Sequence, residues 1–306
     1  MPLPNDEQLI ELADRLLSHL ISAAGSHPGF RPAHARGLLV KGDFTPTAAA
    51  GRLTKAPHFH RDSTPVVVRL SNATGLPALS DTDPKANPHG MAIRFYLAER
   101  VHTDIIGHSV DSFPTRTGDQ FLEMLRALGN PETAAKFLSE HPAAARFVQT
   151  PKPSPQSYAT EKLLGVTSVE FENVDGIKRF ARYRILPEIP TAYLEEGDLR
   201  AKSESYLHDE LKQRVEAIPI AFKLFAQMAD EGDVVDDATV RWPEDRELVE
   251  LGRIELRELV PDDAAEQKHL IFDPIPRVEG IEPSADPLLE LRAAVYLLSG
   301  RMRRSA

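Results

Sequence analysis

Residues 64–71, Thr-Pro-Val-Val-Val-Arg-Leu-Ser, restrict the fold of this 306-residue chain more than any other stretch. Three successive valines favour an extended backbone, and the run has the length of a strand rather than of a stable helix. Arg69 stands out within it. An arginine in an apolar strand needs an anion if it points inward; otherwise it faces water, where most arginines lie. Leu38–Val40 precedes this strand as a shorter one, and Met91–Leu97 and Asp104–Gly107 follow it. Asn173-Val-Asp-Gly176 is a hairpin turn between Val169–Glu172 and Ile177–Ile185. Asp237–Trp242 and Leu251–Leu256 complete the predicted strands.

Helices are predicted around and between them. Asn5–Ala24 carries apolar residues at helical spacing, with Asn5 as cap and Gly25 as stop. Gly118–Leu128, Glu132–Phe147 and most of Leu207–Ala229 also read as helix. Strands linked by hairpins, with helices gathered before, between and after them, define an antiparallel α+β class. Pro151–Pro155 is too short a connector to mark a boundary, so the chain is expected to form one domain, 1–306.

Composition narrows the chemistry. The absence of cysteine excludes disulfides, thiolate ligands, iron–sulfur clusters and a cysteine nucleophile. A net charge of −10 argues against non-specific nucleic-acid binding. No apolar run approaches the ~20 residues of a membrane span, and the N-terminus is acidic where a secretory signal is basic. A cytoplasmic protein is expected.

Near the C-terminus, Asp286 is placed to cap a helix beginning at Pro287, on which Arg292 and Tyr296 lie four residues apart on one face. A guanidinium beside a phenol oxygen favours the phenolate, a hard anionic oxygen suited to iron(III). Taken alone, the same spacing also describes an ordinary amphipathic helix.

Five segments in order decide between these readings. They are Arg31–Gly37, Pro65–Ser71, Pro88-His-Gly-Met-Ala-Ile-Arg-Phe-Tyr96, Trp242-Pro243 with Gly252–Leu256, and Phe272-Asp-Pro274 through Gly280–Ser284 to Arg292 and Tyr296. Together they resemble the haem catalase family from about residue 30 to the C-terminus. The resemblance implies an α+β, catalase-like antiparallel β-barrel with helices packed around it and haem b (iron protoporphyrin IX) buried between barrel and helices. It implies Tyr296 as the iron ligand, a role the handling of haem by catalases assigns to tyrosine, with Arg292 holding it as phenolate. It also implies Arg31, Arg69 and Arg303 on the haem propionates, and His34 as the histidine that moves a proton between the two oxygens of peroxide. Phe113 and Phe121 fall where the family has pocket phenylalanines.

Two departures shape the expected activity. Where larger catalases carry an asparagine beside the histidine, this chain has His108 or, one position along, Ser109. Neither repeats the paired donor and acceptor of an amide, so oxidation of a second peroxide molecule is expected to be impaired. The chain also lacks length for the arms and extra domain of larger catalases. It resembles the small catalase-related peroxidases, which implies a hydrogen peroxide and organic hydroperoxide substrate range, a reducing co-substrate and a monomer or homodimer. The same residues would serve an isomerase of fatty-acid hydroperoxides, of allene oxide synthase type, or a haem sensor with little turnover.

Overall fold

The structure, a computed structural model, describes residues 3–306. Met1 and Pro2, part of the acidic N-terminal stretch noted above, lie outside the described residues. Ten strands occur in order: β1 (Gly37–Pro46), β2 (Thr64–Asn72), β3 (His89–Ala98), β4 (Val101–His108), β5 (Leu163–Leu164), β6 (Val169–Glu172), β7 (Lys178–Pro187), β8 (Ile220–Met228), β9 (Leu248–Leu259) and β10 (Ile281–Pro283). Hydrogen bonding runs β7-β5-β4-β3-β2-β1-β9-β8, and β8 pairs again with β7. The ring of eight antiparallel strands therefore closes, and β6 and β10 extend from its seam. Closure leaves the barrel strands without a free edge.

The helices are α1 (Glu7–Ala24), α2 (Ala48–Leu53), α3 (Gly118–Ala127), α4 (Pro131–Glu140), α5 (Pro142–Gln149), α6 (Glu196–Arg200), α7 (Tyr206–Ala217), α8 (Asp263–His269) and α9 (Leu288–Arg304). None among the described residues is long and apolar enough to cross a membrane.

Side chains alternate across each strand, so one face of the wall fills the barrel and the other supports the helices. Val68, Ile93 and Ile105 meet in one cross-strand row and point inward, with Val66, Leu70, Phe95 and Phe44 in the same apolar core. Outside, Leu12 and Leu16 of α1, Leu122 of α3, and Leu291 and Ala294 of α9 form a second core. Gly118 permits this packing, since an added Cβ would lie 2.0 Å from a Leu291 methyl.

Three sequence expectations fail. The run read as one helix over Leu207–Ala229 is α7 followed by β8; Pro219 breaks it, and burial then alternates through Ile220, Phe222 and Leu224. Asp237–Trp242 forms turns rather than a strand. Glu132–Phe147 is two helices, parted at His141-Pro142, because proline cannot donate inside a helix. Two helix starts also shift slightly. Asp6, not Asn5, caps α1 by accepting from Gln8 and Leu9 N–H, and α9 begins at Leu288, whose N–H donates to Asp286 Oδ1 at 2.9 Å.

Candidate active site

The outer face of β2, β3 and β4 presents two cross-strand rows to the helices. Ser71, Gly90 and His108 form the first; Arg69, Ala92 and Ile106 form the second. All six line one cavity with about 700 Å³ of atom-free space, its mouth included. That volume lies within the range of pockets that enclose a large organic ligand. Arg31 and His34 enter it from the loop before β1, Ile271 and Phe272 from the segment after α8, and Tyr296 and Arg303 from α9. A buried ion pair fixes the 271–273 segment to the barrel. Arg94 donates to Asp104 at 2.9 and 2.7 Å and to the Ile271 carbonyl, while Asp273 N–H donates to Asp104 at 2.7 Å.

His34 takes a left-handed backbone conformation, φ 56°, which non-glycine residues adopt at a cost and which clusters at functional sites. Its N–H donates to the Ala73 carbonyl at 2.9 Å, and its Nδ1 lies 3.1 Å from Ser71 Oγ. The ring lies against Gly90, where a Cβ would come within 2.8 Å of His34 Cε1. Only glycine leaves room for the imidazole at that place. Burial, with the charges of Arg69, Arg31 and Arg292 adding to it, depresses the His34 pKa to about 3. The His108 ring is 5.4 Å from that of His34, and burial, then His34 and Arg292, push its pKa well below the ordinary imidazole range. Both rings are neutral at pH 7.

On α9, Arg292 Nη2 donates to Tyr296 Oη at 3.2 Å, as their four-residue spacing predicts. Arg31, Arg69 and Arg303 gather at one end of the cavity. Arg31 donates to the Leu270 carbonyl at 2.9 Å, and Arg69 to Gln267 Oε1 at 2.7 Å and the His34 carbonyl at 2.8 Å. Arg303 donates to Ser299 Oγ and the Leu270 carbonyl, leaving its buried Nε without a partner. Arg69 and Arg303 are each 3% exposed. Among the described residues none of the three forms an ion pair with a carboxylate. Burial lowers all three pKa values, to about 10 for Arg69 and Arg303. Mutual repulsion adds to this at Arg31 and Arg69, and Arg304 at Arg303. Buried Arg69 and Arg303 and half-buried Arg31, none of them paired with a carboxylate, form a site built for an anion.

The structure thus brings together six of the predicted residues: Arg31, His34, Arg69, His108, Tyr296 and Arg303. Arg292 stands behind Tyr296. The remaining three are placed elsewhere. Ser109, just past the end of β4, accepts from His89 N–H through Oγ at 2.9 Å and does not line the cavity. Phe113 and Phe121 do not line it either; they pack on each other, centroids 4.9 Å apart, one beside Leu288 and the other beside α1. The sequence reading missed Ser71, Gly90 and Gln267. Ser71 is legible as the residue two beyond Arg69, hence on its face. Gln267 lies on α8, a helix without a strong apolar period.

An apolar cavity with a phenol at one helix, one imidazole on the barrel and one on the loop before it, and arginines without carboxylate partners at its end is a pocket for an anionic prosthetic group. A family model described as Catalase matches residues 27–306. The chain is 32% identical over 301 residues to a catalase-related peroxidase of Mycolicibacterium paratuberculosis, covering 95% of this chain and 94% of that one. It is 29% identical to a catalase-related peroxidase of Synechococcus elongatus, covering 94% and 87%. Among solved structures, a fungal catalase superposes with a TM-score of 0.81 at 22% identity, covering 95% of this chain and 63% of that one. Catalase A of Saccharomyces cerevisiae gives 0.81 at 21%, covering 94% and 64%. This chain spans less than two thirds of those longer catalases. The protein belongs to the catalase family, and the family implies a haem cofactor.

The residues present fit that group. Its two propionates match the carboxylate-free arginines, its macrocycle the apolar walls, and its iron the Arg292-backed phenol.

Proposed function

We propose that this protein is a haem b peroxidase that reduces hydrogen peroxide and organic hydroperoxides at the expense of a reducing co-substrate, with residual catalase activity. One observation carries this reading: a single cavity joins Tyr296, the His34–His108 pair and three arginines with no carboxylate partner. Bound haem would supply the redox-active iron that the chain itself lacks. Tyr296 would hold the iron through Oη, and Arg31, Arg69 and Arg303 would hold the propionates. His34 enters the reaction as the free base, kept so by burial, takes a proton from one peroxide oxygen and returns it to the other. The departing oxygen then leaves as water or alcohol rather than as a costly anion. Ser71 beside Nδ1 fixes the ring orientation.

His108 occupies the position facing His34. An imidazole offers a hydrogen bond to peroxide but not the paired donor and acceptor of an amide, which disfavours oxidation of a second peroxide molecule. A donor-consuming peroxidase is the outcome. We further propose that the chain works as one haem-binding unit over residues 1–306, in the cytoplasm, as a monomer or homodimer.

The test is the absorption spectrum of the haem-reconstituted protein, then addition of peroxide and a chromogenic donor with an oxygen electrode in the cell. A high-spin ferric spectrum, changed in Tyr296→Phe together with loss of donor oxidation, is expected. Oxygen release at the rate of a full catalase would sink the peroxidase assignment.

A further inference from the structure

We infer that the electron donor binds in a second pocket, behind the arginine wall of the haem cavity, and that it is a small anionic enediol or phenolate. This rests on the peroxidase reading. The pocket lies between the C-terminal ends of α1 and α9, with about 520 Å³ of atom-free space including its opening. Arg31, Pro32 and Arg303 line both it and the haem cavity, so they form a shared wall. It therefore meets the cavity at the propionate end and away from His34 and His108, neither of which lines it.

That placement suits a donor. Peroxide must reach the imidazoles, whereas an electron donor needs only the edge of the macrocycle. Two separate approaches let both substrates be present together. Each peroxide O–O bond that breaks takes two electrons and two protons, giving water or alcohol plus water. Two enediol monoanions supply them by losing one electron and one proton each, or one by losing two electrons and one proton with solvent giving the second proton; two phenolates lose one electron each, and solvent gives both protons.

The charge of the pocket selects the donor's sign. The α-carboxylate of Ala306 is the one acidic group among its lining residues, and no Asp or Glu side chain lines it, although the chain as a whole carries −10. Arg31, Arg303 and His27 do line it, and Lys268 reaches to its edge, 3.2 Å from where a Cβ on Gly29 would be. The haem has two propionates for three guanidiniums. Asp263, the acidic residue whose field reaches Arg31 and Arg69, is bonded instead to Leu39 N–H at 2.7 Å and to the Gln267 amide. Positive charge is left over at the wall, where the Arg303 Nε is buried and unpartnered. Local positive potential in an acidic protein concentrates anions at that point. Phe30 and Met302, 46% and 37% exposed, stand at the opening of the pocket.

The experiment uses the haem-loaded enzyme with ascorbate as anionic donor and guaiacol as neutral donor, and follows the direct reaction of the haem with peroxide by stopped flow. Met302→Glu adds a negative charge at the rim on an exposed side chain, and Met302→Gln controls for shape. Met302→Glu is expected to raise KM for ascorbate roughly tenfold while KM for guaiacol and the peroxide reaction stay within about twofold; Met302→Gln is expected to match wild type. Phe30→Glu should repeat the effect from the other side of the rim. Equal changes for both donors, or an unchanged ascorbate KM in both Glu variants, would overturn the donor pocket. Wild-type haem that does not react with peroxide would instead overturn the peroxidase reading itself.

Discussion

The two faces of strands β2, β3 and β4 are built by the same backbone and have opposite duties. Inward, Val68, Leu70, Ile93 and Phe95 are at or near complete burial and belong to the apolar barrel core. Outward, one residue away in sequence, Arg69, Ser71 and Gly90 are buried and His108 half-buried beneath the helices, but they carry charge, hydroxyl, empty space and imidazole. The pleat separates stability from chemistry by a single residue step. Reactive groups can then be packed into a closed barrel wall without entering its core.

Substitutions on the two faces should therefore separate cleanly. His34→Ala removes the proposed proton carrier over the outer face and should slow the reaction with peroxide by about 10²–10⁴-fold, read by stopped flow, with thermal unfolding nearly unchanged. Phe95→Ala, on the inner face, should cost about 3–5 kcal/mol of stability in denaturant titration, while the molecules that remain folded react with peroxide normally. A variant of either face that moved both readouts equally would break the comparison.

His58 gives the smallest and sharpest test. It is fully buried against Phe59 and Phe95, and neither ring nitrogen has a partner. Burial, with Arg61 and His60 adding, lowers its pKa from 6.5 to about 3. Below pH 6.5 the unfolded chain binds a proton that the folded chain refuses, so stability falls as pH drops from 6.5 toward 3. At pH 5 the loss from this residue is about 2 kcal/mol, at 1.36 kcal/mol per pH unit. His58→Leu should remove that increment of acid sensitivity, measured as the difference in unfolding free energy between pH 7.5 and pH 5, and leave peroxide chemistry alone.

The sequence made the wall and the ligand helix legible because their signals are local. Valine runs, an Asn-Val-Asp-Gly turn and an i,i+4 Arg–Tyr pair each report their own geometry over a few residues. β8 was obscured because its apolar residues follow α7 with only Pro219 between them, and a helical and an alternating period overlap there. Trp242 misled for a different reason. It is held by tertiary contacts, the Arg182 guanidinium 4.5 Å from its ring and Nε1 donating to the Val234 carbonyl, rather than by strand pairing. Arg69 was recognised as needing an anion if it pointed inward. It points out of the barrel and is buried all the same, because α8 and the segment after it cover that face. Facing away from the barrel axis is not facing water, and no periodicity in β2 records which helices will arrive above it.

Tyr296 follows every barrel strand in the chain, whereas His34 and Arg69 precede most of them. Since synthesis runs from N- to C-terminus, the wall bearing His108 and Arg69, and the loop with Arg31 and His34 that precedes it, can form before α9 leaves the ribosome. A nascent chain at that point owns the bed for the cofactor but not Tyr296, the proposed iron ligand. Capture of haem in its final coordination is thereby deferred until the last helix docks, and a chain arrested short of it would be folded in its barrel and blind to peroxide.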